Sequence, residues 1–431
     1  MNRIFFFLVF LSFCTTAYRQ WIWLPSAGNT IAPMQALTTS IVESANSAVT
    51  LSLGMVGMMT LFMGLMKVAE AGGLLMIIAR LIRPLMIRLF PDVPADHPAM
   101  GAMIMNLAAN VMGLGNAATP FGIRAMQELD RLNTCKGTAT NAMVMFLAIN
   151  TSGVAVLPTG VIGLRAAAGS LDPAAVLPTT LFATTCSTVV AVIAVKFFQR
   201  FFPWQEGKAV EETAAEGGAV EPLQEMAGLS EGYPSWVSWL AFLGLASLIP
   251  LTIIFGKALS PWIMPSLVMA LLLFGFMRKV RVYEVFVDGA KDGFQLATRI
   301  IPYLVAILVA VGMFRASGGM DGLVAVLAPI TSLINLPAEA LPMALMRPLS
   351  GSGAFAVLAS TIQNPAIGPD SYTGILVSTL QGSSETTFYV LAVYFGAVQV
   401  HRIRHALAAG LAADLAGVLG AVAICSWLYL P

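Results

Sequence analysis

Three short stretches of this chain hold side chains able to bind a polar solute. The first is MNLAANVMGLGNAATP at 105–120, where Asn106 and Asn110 stand one helical turn apart and Asn116 and Thr119 follow across Gly113 and Gly115. Carboxamides offer two donors and an acceptor each. They lie inside a charge-free run, Pro98 to Ile123, that is long enough to cross a bilayer. Its glycines and Pro120 disturb a plain helix, and irregular backbone at membrane depth is tolerated only where protein buries it or it lines a wet cavity. The run therefore predicts a broken helix or a re-entrant hairpin.

The second stretch is MRPLSGSGAF at 346–355. Arg347, the hydroxyls of Ser350 and Ser352, and the backbone N–H groups around Gly351 and Gly353 suit an anionic or carboxylate group. An interfacial arginine that snorkels to water is the alternative. The third is QGSSETT at 381–387, which brings Gln381, Ser383, Ser384, Glu385 and Thr386 between apolar Ile375–Leu380 and Phe388–Ala397. Glu385 is the one charge between Asp370 and His401. An intramembrane carboxylate costs several kcal/mol unless it is paired, protonated or hydrated, so it reads as a coupling residue or as the ion-pair partner of Arg347. Asn150, Thr151 and Ser152 form a weaker counterpart that interrupts the apolar run 137–164, or serve as helix glue. Asp414, inside the last apolar helix, either pairs with a cation or carries a proton.

Positioning these groups takes a membrane fold. The chain is 58% hydrophobic and 10% charged, with mean hydropathy +0.82. A water-soluble fold of that composition lacks the polar residues to cover itself. Net charge is +1 with Lys and Arg scattered, which excludes a nucleic-acid partner and a polybasic lipid anchor. Cys14, Cys135, Cys186 and Cys425 are far apart and show no CxxC spacing, so they read as small buried hydrophobes. No HExxH, Walker or GxSxG motif occurs, His97, His401 and His405 sit at segment ends, and the GxGxxA at Gly113–Ala118 has no preceding strand. The chain reads as a non-enzyme without a metal or organic cofactor.

Pro203 to Ser235 carries seven glutamates against Lys208 alone, a solvated linker at 203–235 between halves 1–202 and 236–431. Apolar spans are expected near 4–24, 49–69, 98–123, 137–164 and 173–195, then near 236–256, 260–277, 298–314, between 337 and 400, and at 405–428. Residues 1–17 read as a signal peptide or as the start of an uncleaved first helix, which Arg19, Trp21 and Trp23 favour. Lys67 and Glu70 are spaced for an ion pair on one helix face. Leu74–Phe90, with Arg80, Arg83 and Arg88 on one side, suits the cytoplasmic interface.

The halves share a repeat. VESANSAV at 42–49 aligns with VDGAKDGF at 287–294, AEAGGL at 69–74 with RASGGM at 315–320, and RLIRPL at 80–85 with AVLAPI at 325–330. Counting positive residues places the linker inside and, with two crossings between 236 and 277, starts the two copies on opposite faces. Inverted-topology repeats follow.

The first half resembles the spore maturation protein A family through DHPAMGAMIMNLAANVMGLGNAATPFGIRAMQEL at 96–129 and NAMVMFLAINTSGVAVLPTGVIGLRAAAGS at 141–170. The second resembles spore maturation protein B through RIIPYLVAILVAVGMFRASGGMDGL at 299–323, ALMRPLSGSGA at 344–354 and STLQGSSETTFYVLAVYFGAV at 378–398. The resemblance implies two gate, or nucleoside-recognition, domains fused at the linker, without naming a nucleoside as substrate.

The expectation is an all-α polytopic protein of the bacterial inner membrane in which two inverted gate repeats, with broken or re-entrant helices, enclose a midplane solute site. The solute is small and polar or zwitterionic, with Na+ or H+ as candidate coupling ion, and lipid and a second copy of the chain as further partners. A non-transporting scaffold in envelope or spore maturation is the alternative, and it needs no hydrated midplane cavity.

Overall fold

A computed structural model describes residues 2–24, 31–113, 115–153, 158–202, 233–319, 322, 329, 331 and 334–430. The linker acids, and the repeat match at 325–330 except Pro329, lie outside the described residues, as does the side chain of Asn116. Among the described residues the chain is helical, and one isolated bridge, Thr138 to Arg402, is its whole β content. The first half holds α1 (Asn2–Trp21), α2 (Pro33–Ala71), α3 (Leu74–Leu89), α4 (Pro98–Val111), α5 (Gly115–Arg131), α6 (Asn141–Ser152), α7 (Thr159–Ala167) and α8 (Val176–Phe198). The second holds α9 (Ser235–Met277), α10 (Val282–Ala316), α11 (Leu341–Leu349), α12 (Gly351–Ile362), α13 (Tyr372–Gly382), α14 (Thr387–Ala397) and α15 (Ala406–Tyr429). Pro33–Ala71, Pro173–Phe198 and Ala406–Tyr429 are long and apolar enough to cross a membrane.

The repeat is visible as matched elements. α2 stops at Ala71 and α10 at Ala316, each before its Gly-Gly pair, with Gly73 and Gly318 in the left-handed region. The two helices pack antiparallel: a Cβ on Gly64 would meet Phe286, one on Gly289 Lys67, one on Gly293 Met59 and Thr60, and one on Gly312 Ser44. At Gly293 that atom would stand 2.7 Å from the Met59 carbonyl, so backbone meets backbone there and the position takes no side chain. α8 and α15 are a second antiparallel pair. Ser187 Oγ donates to the Ala413 carbonyl, Gly420 faces Cys186 and Ala183, and Tyr429 Oη reaches the Ala175 carbonyl. Equivalent helices that run in opposite directions are what an inverted repeat requires.

One expected break is absent. The spans at 236–256 and 260–277 are a single helix, α9, of 43 residues. Lys257 lowers local hydropathy, but one lysine leaves backbone hydrogen bonding intact and does not stop a helix. The inverted relation therefore rests on the α2–α10 and α8–α15 packing and not on a count of two crossings there.

The expected interruptions occur, displaced by a few residues. α4 ends at Val111, Gly113 takes φ +75°, and α5 restarts at Gly115 and continues through Pro120. The glycine breaks the run; the proline is absorbed near the start of the next helix. In the same way Asn150, Thr151 and Ser152 do not interrupt α6 but form its last turn, bonding back to the carbonyls of Phe146, Ala148 and Ile149. The break falls at Gly153, with φ +56°. In the second half α11 ends at Leu349, Ser350 caps α12 through the Gly353 N–H (3.0 Å), and α13 and α14 are parted at Ser383–Thr386. The Lys67–Glu70 pair forms at 3.1 Å and α3 is amphipathic, as its spacing predicts.

Candidate functional site

The α6–α7 break and the α13–α14 break meet. The Glu385 backbone N–H donates to the Thr151 carbonyl at 2.8 Å, one half of the chain closing the helix end of the other. A helix C-terminus leaves carbonyls unpaired. Here Thr184 Oγ1 also covers those of Ser152 (3.0 Å) and Gly153 (2.6 Å). A Cβ on Gly153 would stand 2.9 Å from the Glu385 nitrogen, so the contact needs glycine for its space as well as its φ.

On the first-half side three of the amides lie together. Asn106, fully buried, donates through Nδ2 to the Ala118 carbonyl (2.8 Å) across the α4–α5 hairpin and to Tyr394 Oη (3.1 Å). Asn110 Nδ2 donates to Asn150 Oδ1 (2.9 Å), which also accepts from Tyr394 Oη (3.4 Å). Tyr394, on α14, stacks on Phe146 at 5.9 Å between ring centres. Sequence reading missed it, because one tyrosine in an apolar helix looks like any buried aromatic. Thr119 is half-buried on α5, next to the carbonyl that Asn106 engages.

On the second-half side the cluster is charged. Arg347 is buried; its Nη1 donates to Thr386 Oγ1 (3.3 Å) and its Nη2 lies 3.8 Å from Glu385 Oε2. The snorkelling reading fails, since the guanidinium points into protein. Glu385, expected to be enclosed by its apolar flanks, instead leaves 52% of its side chain exposed: the break lifts it out of helical register. Ser383 Oγ bonds the Leu380 carbonyl (3.3 Å), Ser384 is buried, and Ser350 and Ser352 hydroxyls lie 3.5 Å apart at the start of α12. A Cβ on Gly351 would meet Thr386 Oγ1 at 2.9 Å, placing this turn against the arginine's partner.

Asp414 completes the group, a residue the sequence left open between two roles. It is buried and accepts from Thr387 Oγ1 at 2.6 Å. Its other oxygen, Arg347 Nε and Gln381 Oε1 have no hydrogen-bond partner among the described residues. Buried polar atoms are rarely left so, and clustered exceptions call for a ligand or water. Arg347, Ser383, Ser384 and Asp414 line one narrow cavity of about 10 Å³, room for a single water.

A second buried arginine, which sequence reading passed over, ties the halves together elsewhere. Arg165 is fully enclosed and donates to Asp370 (2.9 Å), Ser170 (3.0 Å) and the carbonyls of Asp172 (3.0 Å), Pro173 (3.3 Å) and Pro369. Every guanidinium nitrogen is engaged, so it is a clamp with nothing left for a solute.

A family model described as Gate, nucleoside recognition, matches residues 52–168 and 297–400, just over half of the chain. Spore maturation protein B of Bacillus subtilis (strain 168) is 46% identical over 171 residues, 40% of this chain and 95% of that protein. Spore maturation protein A of the same organism is 42% identical over 165 residues, 38% of this chain and 84% of that protein. The Escherichia coli (strain K12) inner membrane protein YjiG is 31% identical over 96 residues, 22% of this chain and 63% of that protein. Among solved structures, an outward-facing CNTnw variant aligns with TM-score 0.46 at 12% identity, covering 96% of this chain and 89% of that one. The Alcanivorax borkumensis YdaH transporter aligns with TM-score 0.45 at 16% identity, covering 98% and 97%.

Proposed function

The chain belongs to the Gate family, as a fusion of regions akin to spore maturation proteins A and B, and on that premise we propose that it is a secondary transporter of the bacterial inner membrane. It carries a small polar or zwitterionic solute through a midplane site between its two gate domains. One observation bears most of the weight: Arg347 Nε and Asp414 Oδ1, a cationic donor and an anionic acceptor, are both buried and unpartnered among the described residues. Arg347 and Asp414 line one cavity, beside the point where two inverted broken helices cross. A solute carboxylate satisfies the arginine, and an ammonium or hydroxyl satisfies the aspartate.

The amide cluster of Asn106, Asn110 and Asn150 lies on the other side of the crossing and holds the α4–α5 hairpin to α6 and α14. Movement of either hairpin breaks bonds at one side of the crossing only, which suits alternating access. Glu385, half in water beside Arg347, is the candidate for H+ or Na+ coupling. With room for about one water, the conformation is a closed one.

That narrowness also favours a second reading, a non-transporting membrane scaffold in envelope or spore maturation, in keeping with the relatives' names. A panel of amino acids, nucleosides and small organic acids separates the two by thermal stabilisation of the purified protein. A ligand at about 100 times its Kd adds about 2.7 kcal/mol. A transporter gives at least one stabilising solute whose effect disappears in Arg347→Ala. A scaffold gives none, or gives shifts that Arg347→Ala leaves unchanged.

A further inference from the structure

Under α3 lies a cavity of about 390 Å³, far larger than the one beside Arg347 and different in chemistry. Its walls come from six helices, with Ile78 and Leu85 of α3, Leu107 of α4 and Ile149 of α6 among them. Met112, at the tip of the α4–α5 hairpin, lines it too. Thr188 is the one side chain of the lining with a polar atom, and its hydroxyl is spent on the Thr184 carbonyl (2.8 Å) and on Ser152 Oγ (2.9 Å). A polar solute gains nothing there, and apolar cavities of this kind take hydrocarbon.

α3 supplies the rest of the site. Its apolar face turns to the cavity, and it carries Arg80, Arg83 and Arg88 with no acid. Arg83 is held by Asp96 at 3.4 Å, whereas Arg88, in the last turn of the helix, is exposed. An amphipathic basic helix over an apolar cavity matches a molecule with an anionic head and a hydrocarbon tail. We propose that this cavity binds one acyl chain of an anionic phospholipid, seated beneath α3 with its headgroup at Arg88. The chain then packs against Val111 and Met112, at the tip of the hairpin that carries Asn106 and Asn110. The proposal stands whether or not the protein transports.

The test uses the full chain in nanodiscs with diazirine placed mid-chain in phosphatidylglycerol, in phosphatidylcholine or in a free fatty acid, with adducts mapped by mass spectrometry. Phosphatidylglycerol should mark Leu85, Leu107 and Met112 more than phosphatidylcholine does. Leu85→Trp occupies part of the cavity and should cut adducts at Leu107 and Met112 about fivefold or more, the loss expected from excluding one or two methylenes, while labelling of α15 stays. Arg88→Gln, an exposed change that leaves folding alone, should bring phosphatidylglycerol down to the phosphatidylcholine level. Adducts spread evenly over lipid-facing helices, or unchanged in Leu85→Trp, overturn the site. Equal labelling by the fatty acid, with no effect of Arg88→Gln, overturns the phospholipid assignment. If Leu85→Trp does not fold, Ile78→Phe makes the same comparison.

Discussion

Arg347 and Glu385 decide between a structural ion pair and a working site, and their geometry sets the size of the effect. At 3.8 Å, two unit charges attract by about 1 kcal/mol in water and about 4 kcal/mol at an effective dielectric of 20. Half of the Glu385 side chain is exposed, so the aqueous limit applies, and holding two long side chains together offsets part of it. Glu385→Gln should therefore cost less than about 1 kcal/mol of stability. Arg347→Ala loses the Thr386 bond and buried stem packing and should cost about 2 kcal/mol or more. In a double-mutant cycle, measured by denaturant unfolding of the purified protein in mixed micelles, the coupling should stay below about 1 kcal/mol. Solute binding should survive Glu385→Gln and vanish in Arg347→Ala. A coupling above about 3 kcal/mol, or two single variants that fail to fold while the double variant folds, would show a structural pair and refute the coupling role.

Gly153→Ala puts a Cβ 2.9 Å from the Glu385 nitrogen at φ +56°, so it should destabilise by about 2–4 kcal/mol and abolish solute-induced stabilisation, both read from melting curves. Arg165→Ala strips partners from Asp370 and five further acceptors and should cost about 3–5 kcal/mol without changing which solutes bind; a neutral result would mean the clamp is slack. His405, just before α15, has both ring nitrogens buried without a partner among the described residues, and burial, with Arg404 adding to it, lowers its pKa to about 4. A histidine kept neutral in the folded protein contributes fully above pH about 6.5 and loses that contribution as pH falls towards 4, up to about 3 kcal/mol. Melting temperature should fall over that window, and His405→Phe, which keeps the stack on Phe202, should flatten the slope.

Much of the fold was legible because membrane helices announce themselves by composition and their breaks by glycine. Asn106, Asn110 and Asn150 stood out as amides too costly to leave in hydrocarbon, but their pairing across 40 positions was not legible. The inverted repeat showed in three short alignments, of which one lies inside α2 and α10 and one runs across their ends. What the sequence hid depends on contacts between segments far apart. Tyr394 and Arg165 have ordinary local surroundings, and their partners sit 288 and 205 positions away. Glu385 was misplaced because its flanks are apolar, whereas exposure is set by the break it sits in. The spans near 236–256 and 260–277 read as two because a hydropathy minimum does not distinguish a loop from a charge on a continuous helix.

The central claim is that the crossing of the two breaks is a solute site reached from both faces of the membrane. In a background lacking Cys14, Cys135, Cys186 and Cys425, single cysteines at Asn150 and Ser384 can be exposed to impermeant thiol reagent from each side of oriented vesicles. A transporter predicts reaction from both sides, with a stabilising solute slowing it at both positions. Reaction from neither side, while a cysteine at exposed Tyr389 reacts, would contradict the claim and leave the scaffold.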